Sequence, residues 1–218
     1  MKDSRQDTES GNGIGNGIGS GEIKNRRSKV KRRTKETDIS VELDLDGTGK
    51  GSIDTGIGFF DHMLEGFAKH GFFDLRVKVE GDLEVDGHHT VEDTGIVLGT
   101  AIREALGDKV GIKRYGSFLL PMDDALALCA VDLCGRPYFD YQCGFTAEKI
   151  GELDTELIRD FFYAVSYAAG MNLHIKMLSG INNHHMAEAA FKAFAKALDE
   201  AVSKDARITE VLSTKGSL

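Results

Sequence analysis

The chain has 218 residues, 41% of them hydrophobic and 28% charged, which is enough apolar material to bury a core in one compact domain or in two small, tightly packed halves. No apolar run approaches the roughly 20 residues that cross a bilayer, and no apolar segment follows the first charges, so a membrane span and a secretory signal are both unexpected and the cytoplasm is the expected compartment. The net charge of −8 gives no reason to expect a nucleic-acid partner, and three cysteines without a Cys-x-x-Cys pair argue against a disulfide framework or a thiolate zinc site.

Residues 1–23 contain GNGIGNGIGSG and are polar, Gly-rich and repetitive, too poor in apolar side chains to offset the entropy of ordering. The densely basic KNRRSKVKRR, 24–33, follows; without interleaved aromatic residues to stack on bases it reads as a solvated arm. Residues 1–30 are therefore taken as a disordered tail and 31–218 as the folded part. From Thr37, Ile39, Val41, Leu43 and Leu45 alternate with polar partners and the chain turns at Asp46–Gly47, a strand and the start of a hairpin. Phe59, Phe60, Met63, Leu64 and Phe67 have helical spacing, with Gly71 as the expected C-cap. FDLRVKVEGDLEV alternates as a strand. Val91, Ile96, Val97, Ile102 and Leu106 then form a helical stripe that ends at Gly107. The same order returns downstream: strands between Ser117 and Phe145, a helix within 154–170, a strand within 171–180 and a helix within 182–202. A duplicated unit of roughly 90 residues, about 31–120 and 121–218, explains this order. Cys129, Cys134 and Cys143 read as free, mostly buried thiols.

The duplication carries a chemical motif. GHHTVED, 87–93, and NHHMAEA, 183–189, each place two histidines ahead of a glutamate. On a helix, His88 with Glu92 and His184 with Glu188 share a face, while His89 and His185 diverge from their neighbours by about 100° and point toward different metals. His62 lies 26 residues before His88, and Asp160 lies 24 before His184. Six of the seven histidines fall at or near these repeats, His70 being the exception. His174 sits in an alternating strand and reads as readily as a hydrogen-bonded core residue as a ligand. A donor set of imidazole and carboxylate without thiolate suits Mn²⁺, Fe²⁺, Co²⁺ or Zn²⁺. A single histidine pair on a helix is ordinarily a surface or cap feature; two copies at matched offsets favour metal binding.

DTGIGFFDHMLEGFAKHGFFDL, HHTVEDTGIVLGTAIREALGDKVGIKRYG, DLCGRPY, LHI, NNHHMAEAAFKAFAKAL and the terminal STKGSL occur in this order over about residues 30–218. In these stretches the chain resembles the imidazoleglycerol-phosphate dehydratases of histidine biosynthesis. The resemblance implies an α+β fold of two βββαβ-type halves, ribosomal protein S5 domain 2-like, with helices packed against four-stranded sheets. It also implies two Mn²⁺ ions per subunit and a homo-oligomeric shell of 24 subunits with active sites between them. The metal ligands it implies are His62, His88, His89, Glu92, His184, His185 and Glu188. Pseudo-symmetry then groups His88, Glu92, His185 and Asp160 around one ion and His62, His89, His184 and Glu188 around the other. Asp160 stands where the family has histidine, and a carboxylate still suits Mn²⁺. Gly58 and Leu212 stand where the family usually has proline.

The resemblance further implies that Arg114, Arg136, Lys192, Ser213, Thr214 and Lys215 bind the substrate phosphate, a task for cations and hydrogen-bond donors, with His62 also at the substrate. Read alone, Lys192 makes an ordinary helical ion pair with Glu188, four residues earlier. The implied reaction removes water from imidazole glycerol phosphate to give imidazole acetol phosphate. The proton leaving carbon is barely acidic, so metals beside the imidazole ring must supply the electron sink. Glu36 is the candidate acid/base as well as a substrate contact, or else a surface charge on the basic arm; Glu92 or Glu188 are the other proton carriers. Two other readings remain: a binuclear metallohydrolase of a phosphate ester, which would use more aspartates, and a non-enzymatic metal-binding shell, which would not need Arg114, Arg136 and Lys215.

Overall fold

The computed structural model describes residues 26–218, so the reading of 1–23 lies outside the described residues. Two halves repeat one order of elements. The first comprises β1 (Arg27–Arg33), β2 (Thr37–Asp44), β3 (Gly51–Asp54), α1 (Gly58–Gly71), β4 (Asp74–Gly81) and α2 (His88–Leu106). The second comprises β5 (Tyr115–Met122), β6 (Ala125–Asp132), β7 (Tyr138–Gln142), a small ribbon of β8 (Lys149–Ile150) and β9 (Leu153–Asp154), then α3 (Glu156–Ala169), β10 (Asn172–Ser179) and α4 (Asn183–Val202). Each half builds a four-stranded sheet, in the orders β1-β2-β4-β3 and β5-β6-β10-β7. None of the helices of the described residues is long and apolar enough to cross a membrane. The three cysteines are free, Cys129 and Cys134 buried and Cys143 partly so.

Three expectations need correction. The basic arm is a strand, so the folded part begins before residue 31: β1 pairs antiparallel with β2, Arg27 opposite Asp44 and Lys29 opposite Glu42. Its outward side chains make ion pairs across the ladder, Arg27 to Asp44 at 2.7 Å and Lys29 to Glu42 at 2.5 Å. Its inward side carries Ser28, whose hydroxyl donates to the Ala101 carbonyl at 2.8 Å, Val30, and Arg32, which pairs with Asp93. Alternation between basic and mostly polar residues hides a period of two from any hydrophobicity pattern, and lysine and arginine on an outermost strand discourage pairing with other chains. The true hairpin is β1–β2, closed by Thr34, whose hydroxyl accepts the N–H groups of Glu36 and Thr37. After Asp46–Gly47 the chain does not fold back on β2; β3 lies parallel to β4, joined to it through α1. Parallel neighbours need such a crossover. The third correction is the cap of α1, where Phe72, not Gly71, takes the left-handed conformation, with φ of 59°. Gly71 is needed for another reason: a Cβ there would overlap the ring of Phe73.

The halves are locked through their helices. α2 lies on β1 and β2 and packs along α3, while α4 lies on β5 and β6 and packs along α1, so each half supplies a helix to the other. Backbones approach closely at the α2–α3 seam, where a Cβ on Gly95 would stand 2.7 Å from the Phe161 carbonyl and one on Gly99 would stand 2.5 Å from that of Val165. Phe60, Phe67, Phe161, Phe162, Phe191 and Phe194 fill the space between the helices. α3 ends at Gly170, left-handed with φ of 66° and capping by its N–H. α4 starts at Asn182, whose side-chain oxygen accepts the N–H groups of His184 and His185. Replacing Asn182 with alanine should cost about 1 kcal/mol in urea denaturation.

The two sheets differ on their outer faces. On the first, Lys29, Glu42, Arg76, Lys78 and Glu80 present charge. On the second, Leu119 stands opposite Leu128 and Pro121 opposite Leu126, and Leu119 and Leu178 are more than half exposed.

Candidate active site

α1 and α4 run side by side, with Phe67 stacked on Phe194 at 5.3 Å between centroids. The start of α1 is fixed by Asp61, which accepts the N–H and hydroxyl of Thr55 at 2.9 and 2.6 Å. With α4 fixed by Asn182, the next residues along these helices meet. Donor atoms of His62, His184 and Glu188 all lie within 4.8 Å of one another. Phe59 packs edge-on against the His184 ring at 5.0 Å. Glu188 lies 3.5 Å from His184 through one oxygen and 2.6 Å from Lys192 through the other. Burial opposes its ionisation, but the hydrogen bond and charge of Lys192 outweigh burial and hold the carboxyl below its ordinary value. Two imidazoles and a carboxylate, open on one side, fit a divalent cation and leave room for donors from elsewhere.

The pseudo-equivalent place on α2 and α3 is less complete. His88 lies 3.3 Å from Glu92. Asp160 sits on α3 with its carboxylate 3.3 Å from Arg159, beside Tyr141 and Cys143. Among the described residues no third donor joins His88 and Glu92 as His62 joins His184 and Glu188. Of the two expected ligand groups, the structure thus assembles His62, His184 and Glu188 without His89, and His88 with Glu92 without His185 or Asp160.

His89 and His185 occupy matching surroundings of their own. His89 Nδ1 lies 3.0 Å from Asp82 and its Nε2 4.0 Å from Glu36. His185 Nδ1 lies 2.6 Å from Asp124 and its Nε2 3.5 Å from Asp123. Both imidazoles are raised above the ordinary histidine value, chiefly by the hydrogen bonds to Asp82 and Asp124. Asp124 is pushed well below the carboxylate range by His185 and by the N–H groups of Asn182 and Ile181, at 2.9 and 2.5 Å. Asp82, Asp123 and Asp124 were not legible as site residues. A signal existed: Asp123 and Asp124 form the β5–β6 turn, the counterpart of the β1–β2 turn that carries Glu36.

Arg114, Arg136, Ser213, Thr214 and Lys215 come together with Arg207 around a cleft of about 760 Å³. Within it Arg114, at φ of 68°, is committed to Asp132 at 2.7 and 3.1 Å and to the Leu212 carbonyl at 2.7 Å. Lys192 is not part of this lining; it makes the helical pair with Glu188 instead. His174 is not a core residue, because the outer face of the second sheet leaves it 43% exposed, 3.6 Å from Asp140 and beside the Tyr138 ring.

The sequence profile described as imidazoleglycerol-phosphate dehydratase matches residues 55–198. The chain is 68% identical over 194 residues to imidazoleglycerol-phosphate dehydratase of Lachnoclostridium phytofermentans, covering 89% of this chain and 99% of the relative. The enzyme of the same name from Acetivibrio thermocellus is 58% identical, over 88% of this chain and 99% of that one. Crystal structures of imidazoleglycerol-phosphate dehydratase superpose with TM-scores of 0.75: that from Staphylococcus aureus at 37% identity over 82% of this chain and 99% of its own, and that from Pyrococcus furiosus at 39% identity over 87% and 100%. Sequence relatives matched almost end to end and folds matched across both halves agree: the chain belongs to the imidazoleglycerol-phosphate dehydratase family.

Proposed function

We propose that this hydro-lyase converts imidazole glycerol phosphate to imidazole acetol phosphate in the cytoplasm, as a step of histidine biosynthesis, and that it depends on Mn²⁺, two ions per subunit. The observation that carries the metal reading is the triplet of His62, His184 and Glu188, contributed by helices of both halves. His88 and Glu92 begin the second site, Asp160 is the nearest match to a further ligand there by pseudo-symmetry, and His89 and His185 complete sites built largely by other copies. Divalent cations, when bound, supply the electron sink that a substrate without a carbonyl lacks.

The chain's own groups then divide the remaining work. Arg136, Ser213, Thr214 and Lys215 surround one cleft and bind the phosphate there, while Arg114 holds the Leu212 carbonyl and so places the segment that carries them. Glu36 is the acid/base. Glu188 is engaged by Lys192 and Glu92 by His88, whereas the Glu36 side chain is 53% exposed beside His89. Its carboxylate takes the proton from the substrate carbon and returns it to the departing hydroxyl, which leaves as water. Lys192 keeps Glu188 ionised and contacts substrate from the same helix face.

The leucines on the outer face of the second sheet support assembly through that face into a homo-oligomer, for which we propose the 24-subunit shell. Leu128→Lys should shrink the particle seen by light scattering; a particle of unchanged mass would remove this face from the interface. The activity itself is tested by supplying imidazole glycerol phosphate with Mn²⁺. Dehydrated product without inorganic phosphate is the expected result, and release of phosphate would favour a metallohydrolase. Arg136→Met should raise KM about 10- to 100-fold with a smaller change in kcat, the size of one hydrogen bond to a charged group.

A further inference from the structure

Each second histidine of the repeated motif has a carboxylate on Nδ1, and the two carboxylates come from unrelated places in the chain. Asp82 follows β4 at the start of the loop that leads to α2, whereas Asp124 lies in the β5–β6 turn, remote in sequence from α4. Duplication alone therefore does not account for the match; the same contact has been built in two ways. A carboxylate that accepts Nδ1–H fixes an imidazole as the tautomer whose Nε2 carries a free lone pair, and it fixes the ring plane as well.

We propose that Asp82 and Asp124 are positioning residues that hold His89 and His185 as Nδ1–H tautomers, with Nε2 presented as a donor to a divalent cation bound mainly by another copy of the chain. This rests on the metal-dependent reading above. Asp124 is the more firmly built of the two. One oxygen meets His185 at 2.6 Å, and the other accepts the N–H groups of Ile181 at 2.5 Å and Asn182 at 2.9 Å. The aspartate ties the β5–β6 turn to the residue that caps α4, so the direction of His185 and the start of its helix are set by one group. Asp82 approaches His89 Nδ1 through both oxygens, at 3.0 and 3.2 Å, and its side chain is 19% exposed. Neither aspartate belongs to the donor triplet, so each acts through its histidine.

Asp124→Asn separates positioning from folding. The amide oxygen can go on accepting the Ile181 and Asn182 N–H groups, which turns the amide NH₂ toward His185 and requires Nδ1 to become the acceptor. The proton then moves to Nε2, which can no longer donate a lone pair. Metal-free D124N should stay folded with a midpoint only slightly below the parent's, the difference being the charge lost from those hydrogen bonds, and ¹⁵N NMR of histidine-labelled protein should show one histidine converted to the Nε2–H form. Mn²⁺ calorimetry should show one class of sites weakened about 10- to 100-fold and the other unchanged. Asp82→Ala should weaken the opposite class. An unshifted tautomer together with parental Mn²⁺ affinity in both variants would overturn the proposal. A lowered midpoint with unchanged affinity would also overturn it, since that is what a purely structural aspartate gives. If the parent itself binds no Mn²⁺, the metal reading fails, and the tautomer in D124N alone decides whether Asp124 positions His185.

Discussion

Exhaustive chelation is expected to abolish turnover, and Mn²⁺ to restore it. His184→Ala and Glu188→Gln should each lower kcat/KM by about 10³ or more, because stabilisation by a cation of developing charge is worth several kcal/mol and each 1.36 kcal/mol is a factor of ten. For His184→Ala the loss must not come from unfolding, and the geometry predicts that it does not. The His184 side chain is 45% exposed at the first turn of α4, while the residues that hold this helix, Phe191, Phe194 and Leu198, lie elsewhere on it and are buried. The His184→Ala protein should therefore melt near the parent when both are metal-free, and differ when Mn²⁺ is present, since only the parent gains stability from the bound ion. Full activity in protein shown to be free of metal would remove the premise. His89→Ala, outside the triplet, should also cost more activity than stability.

The largest loss of stability is expected at the α2–α3 seam. In Gly99→Val the new Cβ would lie 2.5 Å from the Val165 carbonyl, 2.8 Å from the Ala168 Cβ and 3.0 Å from the Ala169 N. Two of these three atoms are backbone, so no side chain can rotate aside and the helices must separate. Overpacking of a well-filled core costs about 1–3 kcal/mol, and a clash with backbone belongs at or above the upper end. Gly66, with nothing within 4 Å of an added Cβ, provides the control on α1. Gly66→Ala should stabilise by up to about 1 kcal/mol through helix propensity alone. Urea midpoints at constant slope measure both changes. A tolerated Gly99→Val would mean that the seam relaxes and does not lock the halves.

How much of this was legible in the sequence depends on whether the deciding interaction is local. The helices and most strands announced themselves because one buried face imposes a period on apolar residues, as with Val91, Val97 and Ile102 on α2 or Ile39, Val41 and Leu43 on β2. The pairs His88–Glu92 and His184–Glu188 were legible for the same reason, since i and i+4 on a helix are neighbours whatever surrounds it. The strand β1 was hidden because what holds it is the ladder with β2 and the packing of Val30 and Ser28 on α2, while Asp44, Glu42 and Asp93 pair its basic side chains, none of which shows as an apolar period. Which strand β3 joins was equally out of reach, because a turn at Asp46–Gly47 fixes direction for a few residues but not the partner chosen after α1 has crossed the sheet. The cap was misplaced by one residue because a glycine at a helix end reads as the left-handed cap, whereas Gly71 is there to leave room for the ring of Phe73 and Phe72 takes the left-handed turn. Periodicity and the duplicated motif thus determined the helices, the strands with an apolar face and the imidazole and carboxylate candidates by themselves. The resemblance and the pseudo-symmetry already group His62 with His184 and Glu188; only the tertiary structure decided that α1 of one half lies against α4 of the other to bring them together, that Asp160 stays with Arg159, and that Asp82 and Asp124 become partners for His89 and His185. The physical reason is that such contacts are set by helix packing and loop paths between residues distant in sequence, and no local pattern encodes them.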